Sequence, residues 1–293
     1  MPSHPAPQAG LHRRELVVAG GLREYFVYMP PGQFDTAAAA WPVVLAFHGG
    51  NSNAEAMMEF SGLHEKADSA GFLAVFPNGT GRRGDSRSWN GGNCCGAAMR
   101  QGVDDVGFAS AILEDLARFA SIDSGRVFAT GMSNGAVLCY LLASRMAHRI
   151  CAIAPVGGPM GTENCSPQRP VRICHFHGTR DDFAPYDGGI GLRSLTRVRF
   201  YSVSYTIARW VAANGCSPAP ETVELPAPEN DGTRVVRSTY LGGPHAEILL
   251  HTIHGGGHTW PGRDTEMHFL GRVTHNISAN DVMWDFFTRH ART

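Results

Sequence analysis

Three places in this chain combine residue types and spacing that could do chemistry. The first is Gly131-Met132-Ser133-Asn134-Gly135, a serine between two glycines that follows the apolar run Arg126–Thr130 and precedes a helical pattern. This is G-x-S-x-G in its strand-to-helix setting, where the glycines permit a sharp turn that projects Ser133 and the helix N-terminus favours developing negative charge. The second is Ile253-His254-Gly255-Gly256-Gly257-His258-Thr259-Trp260-Pro261-Gly262, with three glycines before a histidine and an indole after it. Glycines let a loop bend and let other chains approach closely, at an entropic cost in folding. A serine hydroxyl needs a base to take its proton as it attacks, and His258 follows the last apolar run at the spacing such a base requires.

The base in turn needs an acid to fix its tautomer, and in this chain order the acid follows a strand between those of the serine and the histidine. The third place, His175-Phe176-His177-Gly178-Thr179-Arg180-Asp181-Asp182, supplies it: Asp181 is the choice by spacing from the strand end, with Asp182 as the alternative. Donors for a developing oxyanion would be the backbone N–H of Asn134 and one from His48-Gly49-Gly50-Asn51, with Gly50 ahead of Asn51. His175, His177, His254 and His258 could in principle gather a metal. The glycines rule out a helical i, i+4 pair for the last two, and no C-x-x-C accompanies them, so no metal and no cofactor is expected. Neither nucleotide-binding glycine motif is present.

The elements that must position these residues alternate between short β-rich runs and helical patterns, which is the α/β class with a mostly parallel sheet and helices on both faces. Strands are expected at 24–30, 42–47, 72–77, 126–130, 151–156, 171–176, 234–240 and 247–253. Helices are expected after a Ser52/Glu55 capping box and at 106–120, 135–147, 199–213 and 279–289. Residues 79–103 and 182–196 fit neither pattern, and long glycine-rich loops in a regular domain tend to be functional. Residues 1–20 read as an N-terminal extension and 21–293 as one catalytic domain.

Composition narrows the partners. Apolar content of 43% with 17% charged residues is that of a folded globular chain, and 25 basic against 26 acidic residues leaves no electrostatic footprint for nucleic acid or an anionic membrane. A small neutral or weakly charged substrate is expected. No apolar run approaches the roughly 18 to 20 residues of a membrane helix, and the first residues lack a leader's apolar core, which leaves a cytoplasmic chain or a secreted one that has lost its leader. Of the seven cysteines, Cys139, Cys151 and Cys174 fall in buried patterns. A disulfide from Cys94 or Cys95 to Cys165 is open, since spacing does not reveal connectivity.

In order along the chain, "WNGGNCCG", "VDDVGF", "ATGMSNG", "HGTRDDFAPYDGG" and "GGGHTWPG" resemble the esterase group of polyhydroxybutyrate depolymerases and feruloyl esterases, over about Arg23 to Phe287. The resemblance implies a single-domain α/β-hydrolase fold with Ser133, Asp181 and His258 as nucleophile, acid and base. It also implies that Trp260 lines an acyl cleft and that Trp89 and the Cys94-Cys95 loop lie at its mouth. The cysteine that such members carry before the last strand is replaced here by "TYLGGPHAE", so Cys216 is expected as a free thiol. No linker or separate polymer-binding domain is present, which favours soluble esters, hydroxycinnamoyl ones first. Polyester or hydroxybutyrate-oligomer hydrolysis is the alternative, and an inactive hydrolase fold that only binds is the rival from another class.

Overall fold

The computed structural model describes residues 7–31, 40–83, 86–194, 196–243 and 246–291. In chain order the elements are β1 (Gly10–Val18), β2 (Gly21–Met29), β3 (Trp41–Phe47), α1 (Ala54–Ser61), α2 (Leu63–Ala70), β4 (Leu73–Pro77), β5 (Thr80–Arg83), β6 (Ser86–Ser88), α3 (Gly96–Arg100) and α4 (Asp105–Phe119). There follow β7 (Ile122–Met132), α5 (Asn134–Arg145), β8 (Ala152–Val156), β9 (Arg172–Gly178), α6 (Val203–Asn214), β10 (Glu221–Glu224), β11 (Arg234–Leu241), β12 (Glu247–His254) and α7 (Ala279–Thr288).

Ten strands form one sheet in the order β1-β2-β4-β3-β7-β8-β9-β12-β11-β10, and β5 and β6 form a separate ribbon. From β4 to β12 all neighbours run parallel, and antiparallel strands close both edges. The parallel block explains the near-continuous apolar runs, since these strands are covered on both faces. Period-2 alternation sends Val43, Leu45 and Phe47 to a layer with Phe108, Ile112 and Leu138. Val44 and Ala46 face the opposite layer, with Met283, Phe286 and Phe287. There Phe287 of α7 stacks on Phe128 of β7 with centroids 4.4 Å apart, so the last helix is pinned to the middle of the sheet.

All eight apolar runs are strands, but the sheet is wider than they suggest. β1 lies inside the stretch read as an N-terminal extension and pairs with β2 along its whole length. Its side chains alternate between partly buried and exposed, so its sequence, GLHRRELVV, is too polar to resemble the central runs. β10 is exposed throughout. The capping box is also displaced: Asn53, not Ser52, caps α1, its Oδ1 accepting the Ala56 N–H at 2.8 Å. Gly62, with φ of 60°, then ends α1 and starts α2.

The chain leaves β3 toward β4 on one side and leaves β7 toward β8 and β9 on the other. The strand order therefore reverses between β3 and β7, and ligands of open α/β sheets bind in the crevice at the carboxyl ends of such strands. His48-Gly49-Gly50, Ser133, Asp181 and His258 all follow strands of this parallel block, from β3, β7, β9 and β12.

Candidate active site

Ser133 has φ of 56° and ψ of −117°, a conformation that costs a non-glycine residue about 1–3 kcal/mol. The surrounding packing holds it there. Its N–H donates to the Val156 carbonyl at 2.9 Å, and its own carbonyl accepts the Val137 N–H of α5. The flanking glycines are required by close approach: a Cβ on Gly135 would run into the Phe47 carbonyl, and one on Gly131 would come within 2.7 Å of the Gly135 carbonyl carbon. Asn134 opens α5, so its N–H is among those with no acceptor inside the helix.

Close approach also requires Gly178 and Gly257, on the two loops that meet beside His258. A Cβ on Gly178 would meet the carbonyls of Gly256 and Gly257, and one on Gly257 would meet that of Leu270. The loop is sewn down by the Gly257 N–H on the Arg272 carbonyl (2.9 Å) and the His258 N–H on the Leu270 carbonyl (2.7 Å). That presents the imidazole to Asp181, whose Oδ2 accepts the Nδ1 proton at 2.6 Å. Oδ1 of Asp181 accepts the N–H groups of Phe183 and Ala184, both at 2.8 Å. Burial alone would raise this carboxyl, but the charge of His258 and the hydrogen bonds from His177 and His258 outweigh it and hold Asp181 well below the usual carboxylate range. Asp182 faces outward and lies 3.6 Å from Arg193, so of the two carboxylates it is Asp181 that meets His258.

His48 braces the loop at the end of β3. The Gly79 N–H donates to Nε2 at 3.0 Å, which puts the proton on Nδ1, where it donates to the Gly49 carbonyl at 2.7 Å. Burial lowers this imidazole to about 4, consistent with a neutral ring. A Cβ added to Gly49 would lie in ordinary contact with Ser133 and one on Gly50 with Asn134, so the two expected oxyanion donors sit on adjoining segments.

A cleft of about 630 Å³ opens here, lined by Gly50, Asn51, Ser133, Asn134 and His258. Its walls are largely apolar and include Met57, Phe60, Phe183, Phe200 and Phe269. No Lys, Arg, Asp or Glu contributes to the lining among the described residues. Phe183 stacks on the His258 ring, with centroids 5.0 Å apart at 27°.

Neither tryptophan lines the cleft. Trp260 is fully buried, with Nε1 donating to Asn280 Oδ1 at 3.0 Å, and pins the histidine loop to α7. Trp89 is also fully buried, and its Nε1 donates to the His48 carbonyl at 2.9 Å. Its backbone exchanges hydrogen bonds with the Asn134 side chain, so it ties the β3 loop to the start of α5. A large indole beside a reactive residue served packing in both cases. Cys94 is paired with its neighbour Cys95 rather than with Cys165, Cys95 reaches the cleft, and Cys165 and Cys216 are free. The aromatic walls escaped sequence reasoning because Phe183 and Phe200 lie in irregular segments and Phe269 in a single 3-10 turn, none of which has periodicity. The position of Phe183, two residues past the acid, was the available signal.

An open, mostly parallel sheet with a serine elbow, a histidine–carboxylate pair and a glycine loop at its switch point defines the α/β-hydrolase class. A family model described as "Esterase PHB depolymerase" matches residues 23–198, and the chain belongs to that family. It shares 28% identity with the putative esterase NocK of Nocardia uniformis subsp. tsuyamanensis, over 96% of this chain and 84% of that one. It is also 28% identical to feruloyl esterase B of Piromyces equi, over 77% of this chain and 43% of that longer protein. In solved structures the same fold appears in an acetyl xylan esterase from Aspergillus awamori, with a TM-score of 0.56 at 15% identity, covering 94% of this chain and 99% of that one. The protein is a carboxylic-ester hydrolase. No helix among the described residues is long and apolar enough to cross a membrane.

Proposed function

We propose that this esterase works through an acyl-enzyme on small soluble esters with an apolar acyl group, hydroxycinnamoyl esters foremost. Ser133 Oγ attacks the ester carbonyl carbon while His258 Nε2 takes its proton, and Asp181 stabilises the imidazolium. The carbonyl electrons move to an oxyanion that accepts from the Gly50 and Asn134 N–H groups. Collapse expels the alkoxide, which His258 protonates, and water repeats the cycle on the acyl-serine.

The observation that carries this reading is the His258–Asp181 hydrogen bond at the cleft that also exposes the Ser133 elbow. The uncharged lining supports a neutral apolar substrate, and the name of the Piromyces relative supports the feruloyl choice. The test is initial rates on p-nitrophenyl butyrate, methyl ferulate and soluble hydroxybutyrate oligomers, for the native protein and Ser133→Ala. Turnover of methyl ferulate that vanishes in Ser133→Ala is the expected result. Cleavage of the oligomers with methyl ferulate ignored would move the substrate class to polyesters, and activity surviving in Ser133→Ala would overturn the acyl-enzyme.

A further inference from the structure

Strand β9 places His175 and His177 on the same face, and both are entirely buried, as is Tyr140 of α5 behind them. Their hydrogen bonds form a chain whose direction can be assigned. The Ala184 carbonyl, 2.7 Å from His177 Nε2, only accepts, so Nε2 carries a proton. In the neutral ring, Nδ1 then accepts from His175 Nε2 at 3.1 Å. That leaves His175 Nδ1 to accept from the Tyr140 hydroxyl at 2.9 Å. Each proton is donated toward the loop that holds Asp181, and His177 Nε2 is 3.4 Å from Asp181 Oδ2, the oxygen that binds His258.

We propose that His177 is a positioning residue for Asp181: the last proton of the buried Tyr140–His175–His177 chain holds the Ala184 carbonyl, whose own N–H binds Asp181 Oδ1, and its positive end lies beside Oδ2, which limits how strongly Asp181 holds a proton on His258. This rests on the acid role given to Asp181 above. Packing does not require these groups, because apolar side chains would fill the same space without desolvating polar atoms. The chain also accounts for two histidines that the ester chemistry leaves unused.

The neighbours of the chain are few. Tyr186 meets the His177 ring edge-on at 5.8 Å, and its hydroxyl is bonded to Thr252. His251 of β12 and Cys174 lie on the opposite face of the sheet, with Phe176, and Cys139 and Cys165 pack in the layer that holds Tyr140. Burial drives His175 well below the ordinary histidine range, with His177 and His251 adding to the effect, so His175 stays neutral. A carboxylate shared among several donors stabilises an adjacent imidazolium less than one whose charge is unshared. Loss of the His177 donor therefore concentrates charge on the His258 bond and favours imidazolium.

The experiment compares kcat and KM across pH for His177→Leu, His177→Gln and Tyr140→Phe in the full chain, with melting temperature measured alongside. In His177→Leu, kcat should fall about 10- to 100-fold, the effect of a slightly misplaced reacting group. KM should be nearly unchanged, and the acid limb of kcat/KM should move to higher pH by about half a unit. His177→Gln, whose amide N–H replaces Nε2–H, should restore the limb. Tyr140→Phe should move it by less in the same direction, and it stands as the test if His177→Leu does not fold. An acid limb unchanged in every folded variant would overturn the proposal, whatever happens to melting. Labelling of Ser133 by a fluorophosphonate separates the two readings. Normal labelling with an unmoved limb defeats this inference alone, whereas activity without a labelled Ser133 defeats the acyl-enzyme reading and this inference with it.

Discussion

Replacing Asp181 by Asn tests the proposed chemistry with little change in shape. In the native protein Oδ1 is held by the Phe183 and Ala184 N–H groups, and an amide oxygen can keep both bonds. The other position changes sign. Oδ2 accepts the His258 Nδ1 proton at 2.6 Å, and an amide NH2 there can only donate. His258 must then offer Nδ1 as an acceptor and carry its proton on Nε2, where it cannot take one from Ser133. The equivalent exchange costs serine proteases about 10⁴ in kcat, or about 5 kcal/mol of transition-state stabilisation. The same loss is expected here, in initial rates on p-nitrophenyl butyrate at neutral pH, with the far-ultraviolet circular dichroism unchanged. Asp182→Asn, at an outward-facing carboxylate beside Arg193, should stay within about twofold of the native rate, as surface changes usually do. A drop of less than about tenfold in Asp181→Asn, or an equal drop in Asp182→Asn, would refute the assignment.

Burial, aided by Arg237, takes the His251 imidazole down to about 3. Its ordinary value is about 6.5, so the unfolded chain binds the proton first. The stabilisation is complete above about 6.5 and is lost as pH falls toward 3, reaching about 2 kcal/mol at pH 5. Urea midpoints at pH 7 and pH 5 should therefore fall less steeply in His251→Phe, which keeps a ring against Phe176, and equal slopes would contradict the linkage. Trp260→Phe removes the donor to Asn280 and should cost about 1–3 kcal/mol of stability by thermal denaturation. Because Trp260 does not itself line the cleft, KM should not move. Phe183→Ala should show the reverse pattern, a roughly 3- to 10-fold higher KM for methyl ferulate from about 0.5–1.5 kcal/mol of lost aromatic contact. Gly135→Ala drives a Cβ into the Phe47 carbonyl, and the expected outcome is a protein that is insoluble or that no longer reacts with a fluorophosphonate.

The central architecture was legible from local pattern. Parallel strands covered on both faces demand unbroken apolar runs, so β3, β4, β7, β8, β9 and β12 announce themselves, and chain order then orders Ser133, Asp181 and His258 along them. The glycines around the serine and before the histidine were also legible, because close backbone approach leaves no substitute for them. The edges were not: β1 has one face toward solvent and a polar sequence, and its pairing with β2 is a long-range fact. Three further matters depended on how loops fold over the sheet ends. Asp181 rather than Asp182 turns inward because its carboxylate caps the N–H groups of the next turn. The tryptophans go to the core and the phenylalanines to the cleft, a choice that residue type alone cannot make. His175 and His177, two polar residues in an apolar strand, acquire meaning when α5 brings Tyr140 to one end of them and the acid loop brings Asp181 to the other. Sequence determined the residues the strands deliver to the crevice, since periodicity and burial act within a few residues. Tertiary structure decided which of them touch, since those contacts join segments far apart in the chain.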